Sequence, residues 1–379
     1  MPATSKVPRS SRLQQLLVDW RTHWDHGGYD PNARRVLLRA LQCKTPALGR
    51  RAYASENEGR EFCNTCKSRM ACSSCGSWAT VQWQRERECA LPECSYLAIT
   101  FTMPNTLWPL FASNPELCHK LPEIAARVVT NYARVHKGSE VGVMPVLQTF
   151  NGKLEFNPHI HALVTATDLS KLDSKGRSNI YFVDIKLTRS WKWLVIALLR
   201  SALEAGQLKS GLARDDVDRL LLGEEKRAWA WTHVQAVTKE HFLDYGGRYV
   251  MRPPISENRI LDIANGLVRF WYNDKKTLRR EMVFCKTEEF IDRWAQHMPQ
   301  RYRHSVRYFG LFAPRRWARV AAAVFTILGT ERRLKPKRLP WALGIQQLGG
   351  PNPLLDREGQ PMKFIKHLSP EPPDRSRLS

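Results

Sequence analysis

The chain has 379 residues, 43% of them hydrophobic, which is enough for two or three domains with ordinary apolar cores and excludes a small disulfide-held scaffold. Its 59 Lys and Arg against 36 Asp and Glu leave a formal charge of +23, a self-repulsion that a polyanion relieves. Nucleic acid is therefore the first partner to expect, with an anionic membrane surface second.

Residues 1–42 place Leu13, Leu16, Leu17 and Trp20, then Val36, Leu37 and Leu41, at helical spacing around a His/Gly/Pro break, which predicts a helical N-terminal segment. The segment from Met1 to Trp20 lacks the apolar centre of a secretion signal, and the apolar run near Val320 is too short to span a bilayer. No membrane association is expected, and the location is expected to be the cytoplasm, where cysteines seldom form disulfides. Residues 43–95 read as a zinc-binding domain. Beyond them, the β-forming run Tyr96 to Met103 predicts a strand, Pro122 to His136 a helix, and Val141 to Phe150 with Leu154 to Thr165 a hairpin about Asn151-Gly152-Lys153. Asp184 to Ala205 reads as helix within a helical insertion at about 168–227, Ala228 to Val237 as strand, and Lys239 to Met251 as a helix that Pro253 and Pro254 stop. These elements place a catalytic domain at 96–256. A basic α+β segment follows at 257–333, with a hairpin from Leu267 to Phe284 about Asn273-Asp274-Lys275 and a helix from Thr287 to Met298. The proline-rich residues 334–379 read as a disordered tail, and the fold class as α+β.

Two Cys-x-x-Cys pairs, Cys63/Cys66 and Cys72/Cys75, with Cys43 upstream, have the pattern of a zinc site. The pairs lie close together for two knuckles of one ribbon, so four ligands are expected from Cys63, Cys66, Cys72, Cys75 and Cys43, preferred in that order. A segment so polar has few other means of ordering itself. The competing reading is a cluster of buried free thiols.

In Phe156-Asn157-Pro158-His159-Ile160-His161, strand alternation turns both imidazoles to one face and Ile160 to the other. Such a pair fits a polar surface face, and it also fits a divalent cation that polarises a phosphodiester. Gln148, on the partner strand at about the right register, is the candidate third ligand, with Glu155 as an electrostatic helper if the turn is longer. Downstream, Tyr245 and Tyr249 lie four apart in a helical segment, on one face, and a phenol becomes a nucleophile beside a metal or base. They also fit amphipathic core tyrosines. Gly246 and Gly247 between them weaken a helix and so imply close backbone approach or mobility. Arg248 is placed to meet phosphate. Arginines with interleaved aromatics, at Arg269 to Arg280 and again at Arg301 to Arg319, fit a single strand whose bases stack on rings.

Taken together, the histidine segment, Tyr-x-x-x-Tyr running into Val250-Met251-Arg252-Pro253-Pro254-Ile255, Thr65-Cys66-Lys67-Ser68-Arg69, and Val306-Arg307-Tyr308-Phe309-Gly310-Leu311 resemble the transposases of the insertion sequence ninety-one family. The resemblance runs from about Arg34 to Ala313. It implies an HUH endonuclease on a ferredoxin-like or RRM-like antiparallel sheet, Mg or Mn at His159 and His161, and nucleophilic Tyr245 and Tyr249. It further implies a 5′-phosphotyrosine intermediate in rolling-circle transposition, with single-stranded DNA and transposon ends as partners, and Arg248, Arg252, Arg307 and Tyr308 as DNA contacts. The family carries another Cys-x-x-Cys near where this chain has Ser55 and Glu58, which leaves the zinc ligand set open. A rolling-circle replication initiator, or a catalytically silent repressor descended from such an enzyme, are the alternative readings.

Overall fold

The computed structural model describes residues 11–69, 71–169, 179–230, 232–250, 253–274, 277–298, 300, 304 and 306–371, with residues 245 and 248–250 described by backbone alone. Helices α1 (Arg12–Asp19), α2 (Arg21–Trp24) and α3 (Pro31–Leu41) open it. Ser11 and Gln14 form a reciprocal capping box at α1, and Asp30 caps α3 ahead of a proline at its first turn. Strands β1 (Arg50–Ala54) and β2 (Gly59–Cys63) follow, then α4 (Ser73–Ala90), β3 (Tyr96–Phe101), α5 (Trp108–Ser113), α6 (Pro115–Cys118), α7 (Leu121–Lys137), β4 (Gly142–Phe150) and β5 (Phe156–Thr165). Next come α8 (Asp184–Glu204), α9 (Arg214–Lys226), β6 (His233–Val237) and α10 (Lys239–Val250). The rest comprises β7 (Ile260–Ala264), β8 (Leu267–Asn273), β9 (Arg280–Lys286), α11 (Thr287–Ala295), β10 (Phe309–Gly310), α12 (Pro314–Ile327), α13 (Trp341–Gln347) and β11 (Lys363–Leu368). No described helix is long and apolar enough to cross a membrane.

The architecture is α+β with antiparallel sheets. The central five-stranded sheet has the order β10-β4-β5-β3-β6, and every neighbouring pair is antiparallel. Its strands alternate between two cores, as the period of two dictates. Ile99, Phe101, Val143, Ile160, Ala162 and Val164 enter a large core with α5, α7 and α8, in which Trp191 is fully buried. Within the segment read as a helical insertion, α8 thus belongs to the sheet's own helical layer. Tyr96, Met144, Val146 and Leu163 face the other way, against Trp83 of α4, Phe242 and Leu243 of α10, and Phe312.

A third core joins parts of the chain that are remote in sequence. Leu16, Leu17, Trp24 and Leu37 from the first helices pack with Val268, Phe270 and Cys285 of the sheet β7-β8-β9 and with Phe290 and Trp294 of α11. The expected 267–284 hairpin is thus part of a three-stranded sheet, with β7 as an added strand. The β4–β5 turn is buttressed by the same core. It closes with the Asn151 N–H donating to Glu155 O at 3.1 Å, while the Asn151 side-chain oxygen accepts from the Lys153 and Glu155 N–H groups. Leu154, not Gly152, takes the left-handed conformation (φ 62°). That strain, about 1–2 kcal/mol for a residue with a Cβ, is offset because the Leu154 side chain is fully buried in the third core.

The disordered tail expected at 334–379 is corrected for its described residues. β11 pairs antiparallel with β1 to complete the sheet β11-β1-β2, and α13 rests on α4. A Cβ added to Gly344 would fall 1.4 Å from Cζ3 of Trp78, so the indole lies flush against the α13 backbone. Proline-rich composition hid this because the tail's stability comes from a sheet edge and an indole far away in sequence. Gly344→Val is expected to displace Trp78 and release the tail, costing at least about 1–3 kcal/mol as an overpacked contact does. Amide exchange of Lys363–Leu368 should accelerate while that of β4 and β5 stays slow; unchanged protection of β11 would refute the docking.

His297 ties the hairpin to the third core. Thr149 Oγ1 donates to its Nδ1 at 3.1 Å, and its Nε2 donates to Leu154 O at 3.0 Å. Burial lowers its pKa to about 4, against a smaller upward pull from the Leu154 carbonyl. An unfolded histidine titrates near ~6.5, so below that pH the unfolded chain binds a proton that the folded chain refuses. Stability from this group is therefore whole above about 6.5 and falls as pH drops towards 4, by about 3 kcal/mol in all. His297→Gln, which can keep both hydrogen bonds, should flatten the decline of urea midpoints over that window. Parallel slopes for the two proteins would contradict the assignment.

Candidate active site and metal centres

Four cysteines converge where the N-terminal helices meet α4. Cys43 follows α3, Cys66 follows β2, Cys72 is the N-cap of α4 and Cys75 lies in its first turn. Their Sγ atoms all lie within 4.8 Å of one another, with Cys66–Cys75 and Cys72–Cys43 at 3.6 Å and Cys43–Cys75 at 3.8 Å. A tetrahedron with Zn–S bonds of ~2.3 Å has edges of about 3.8 Å, so the thiols are already at zinc spacing. Lys44 and Lys67, each directly after a cluster cysteine, take left-handed conformations (φ 61° and 57°). The bend at Lys67 turns the Ser68 N–H back to Cys66 Sγ, and the Cys66 N–H donates across to Cys43 Sγ, both at 3.4 Å. Hydrogen bonding from neighbouring thiols, Cys43 foremost, lowers the pKa of Cys75 and Cys66, and the same sharing raises that of Cys72 and Cys43.

Cys63, the first preference from sequence, stands outside this group. It ends β2 in register with Arg50, and burial raises its thiol pKa. The chain runs on without a turn from Cys63 to Cys66, so the Cys63-x-x-Cys66 spacing does not form a knuckle; Cys43 occupies the corner instead.

His159 and His161 lie on β5, the middle strand of the central sheet, both buried, with ring centroids 4.8 Å apart and planes nearly perpendicular. Ile160 between them is in the opposite core. Nδ1 of His159 donates to Asn157 O at 2.7 Å, which puts the proton of the neutral imidazole on Nδ1. Thr100, directly across from His161 on β3, meets its Nδ1 at 3.2 Å. On the other flank, Gln148 is the cross-strand partner of His159 and is 7% exposed. Its Nε2 donates to Phe150 O at 3.4 Å, but its buried Oε1 finds no hydrogen-bond partner among the described residues. A buried acceptor left unpaired is costly, and a cation shared with the imidazoles removes that cost. No carboxylate or thiol expands the pair to a three-ligand cluster among the described residues. Glu155, the other candidate, is engaged in the hairpin turn, where it accepts from Asn151 Nδ2 at 2.7 Å.

Helix α10 lies on this same face of the sheet. Phe242 and Leu243 pack on Met144, Val146 and Leu163, and the helix is held from the other side by α4. Gln84 Nε2 donates to Leu243 O at 3.2 Å, and Thr80 Oγ1 reaches Gly247 O at 3.1 Å. A Cβ on Gly247 would come within 2.9 Å of Thr80 Cγ2, and one on Gly246 within 3.1 Å of Trp83. The glycine pair therefore serves close backbone approach. The α10 backbone carries Tyr245 and Tyr249 one turn apart, with Arg248 beside them. Their side chains, and Arg252 altogether, lie outside the described residues.

Arg307 and Tyr308 sit at the β10 edge. The Arg307 guanidinium covers Phe309 and pairs with Glu123 at 3.5 Å, while the Tyr308 ring is half-buried under Arg87. Sequence reasoning missed the seat that α4 offers the tyrosine helix, formed by Thr80, Trp83 and Gln84. Its one signal was the Gly246-Gly247 pair, which demands a close neighbour without naming it.

A family model described as "Transposase zinc-binding domain", of the IS91 type, matches residues 13–103, and one described as "Putative transposase" matches residues 142–319. The chain is 34% identical to the transposase for insertion sequence element IS801 of Pseudomonas savastanoi pv. phaseolicola, over 78% of this chain and 74% of that protein. It is 30% identical to a protein named "Putative transposase y4qJ" from Sinorhizobium fredii (strain NBRC 101917 / NGR234), over 76% of this chain and 77% of that one. No solved structure matches it significantly. With a four-thiol cluster where the zinc-domain model matches and both relatives covered over most of their length, the chain belongs to the insertion sequence ninety-one (IS91) family of transposases.

Proposed function

We propose that this transposase is an HUH nuclease that cleaves single-stranded DNA at transposon ends through Tyr245 and Tyr249 during rolling-circle transposition. The observation that carries the reading is the packing of the tyrosine helix on the histidine face of the sheet. The succession β3-α7-β4-β5-α8-β6 with strand order β4-β5-β3-β6 also supports a ferredoxin-like β-α-β-β-α-β unit. In this reading a phenol oxygen attacks the scissile phosphorus. A bond from tyrosine to the 5′-phosphate forms as the bond to the 3′-oxygen breaks, the phenol loses its proton and the departing 3′-oxygen gains one. The ester keeps the energy of the broken bond, so attack by a 3′-hydroxyl rejoins strands without ATP. One tyrosine holds the cleaved end while the other serves the next transfer.

His159, His161, and Gln148 through Oε1 would hold Mg or Mn, a reading that the unpaired, buried Gln148 acceptor beside the imidazoles supports. The ion would withdraw charge from a non-bridging phosphate oxygen. Asn157 and Thr100 orient the imidazoles, and the buried setting limits water around the reacting phosphate. For the zinc centre, the convergence of Cys43, Cys66, Cys72 and Cys75 supports these four as the ligands in place of Cys63.

Incubation with labelled single-stranded transposon-end DNA and Mn should give a covalent adduct that survives SDS. The Tyr245→Phe/Tyr249→Phe double variant and His159→Ala should lose it, and Gln148→Ala should raise the Mn requirement at least about tenfold, the scale on which even outer-sphere partners act. An adduct that persists in the double tyrosine variant would sink the reading. For zinc, Cys63→Ser should keep the metal content of the wild type while Ser at 43, 66, 72 or 75 lowers it. Loss of zinc on the Cys63 substitution alone would overturn the ligand set.

A further inference from the structure

The outer face of the sheet β7-β8-β9 takes no part in the site above. Strand alternation sends Val268, Phe270, Val283 and Cys285 inward and leaves Leu267, Arg269, Trp271, Arg280, Met282, Phe284 and Lys286 on the outside. Phe284 is 64% exposed and Met282 50%, values that an isolated core sheet does not tolerate without a use for the surface. Cations are interleaved with these apolar groups. Arg269 lies directly opposite Phe284, and Lys286 opposite Leu267. The Arg280 guanidinium is seated 4.0 Å above the Trp271 ring. The acid that joins this face, Asp262 on β7, is neutralised by Arg269. The face is thus apolar and net positive.

We infer that this face is a second DNA-binding surface, a platform on which the bases of single-stranded DNA stack while their phosphates run along the cations. Phe284 offers a bare ring and the Trp271–Arg280 pair a flat cation on which a second base lies. Arg269 and Lys286 flank the rings at positions suited to the backbone. Charge complementarity selects a polyanion over a second copy of this basic chain or an apolar partner. The platform is rigidly joined to the histidine hairpin. Arg259 bonds to Trp271 O at 2.7 Å and to Gly152 O in the β4–β5 turn, Lys153 covers the Tyr272 ring, and a Cβ on Gly152 would touch that ring at 2.8 Å. A strand held on β8 and β9 is therefore held in fixed relation to His159 and His161.

This inference deepens the single-strand reading of the nuclease and is tested without cleavage. Fluorescence anisotropy of the full chain with short fluorescein-labelled oligothymidine, in EDTA, reads binding alone, so it can fail while the covalent adduct still forms, and the reverse. Phe284→Ala should weaken oligothymidine binding about tenfold with no change in melting temperature, and Phe284→Trp should restore it. Arg280→Ala and Lys286→Ala should each reduce the slope of log affinity against log salt by about 0.7. Unchanged affinity in Phe284→Ala overturns the platform. So does failure of Phe284→Trp to restore binding, or an equal loss on duplex DNA, since either would mean that charge without stacking is at work. A shift in sedimentation of Phe284→Ala with DNA binding intact would assign the face to self-association instead.

Discussion

The position of α10 between the central sheet and α4 is the contact on which the candidate site depends. A helix can approach another this closely only where side chains are missing, and Gly246 and Gly247 provide the gap. Each glycine costs a helix interior about 0.5–1 kcal/mol relative to alanine. The loss is offset by Phe242 and Leu243, which bury themselves against Met144, Val146 and Leu163. The same packing commits α10 to the face that carries His159 and His161. Without the gap the helix would stand off from α4 and could not rest on both surfaces.

This contact gives the cysteine cluster a role beyond local order. Cys72 and Cys75 sit in the first residues of α4, while Cys43 and Cys66 come from outside it, so a metal at the four thiols fixes where α4 starts and how it is aimed. Thr80, Trp83 and Gln84, further along α4, then meet α10. The cysteine cluster and the histidine face of the central sheet are therefore linked through one helix.

Legibility in the sequence followed the range of the interactions involved. The alternation that puts His159 and His161 on one face and Ile160 in a core is a local property of a strand, and the register that sets Gln148 opposite His159 follows from a short hairpin. Helices α7, α8 and α10 carried their periodicity and stop signals in adjacent residues. The cysteine ligand pattern was misread in part because spacing reports distance along the chain, whereas the extended path from Cys63 to Cys66 and the turn at Lys44 decide distance in space. The N-terminal helices gave no sign that Leu16 and Trp24 would share a core with Phe270 and Trp294, and β7 was overlooked although Asn265-Gly266, both left-handed in the structure, marks its turn into β8. The tail was illegible for the same reason: its order comes from partners near the other end of the chain.

That last pairing has a bearing on biogenesis. Strand β1 leaves the ribosome with β2 beside it, but its second edge is covered by β11, which is made only after the central sheet and the sheet β7-β8-β9. Until then the N-terminal sheet presents a row of unsatisfied amides and carbonyls, the feature that lets nascent chains stick to one another. The arginines at 50 and 51 put like charge along that open border and discourage two unfinished chains from joining there. The sheet that lies beside the zinc-binding helix is in this sense closed from the far end of the message.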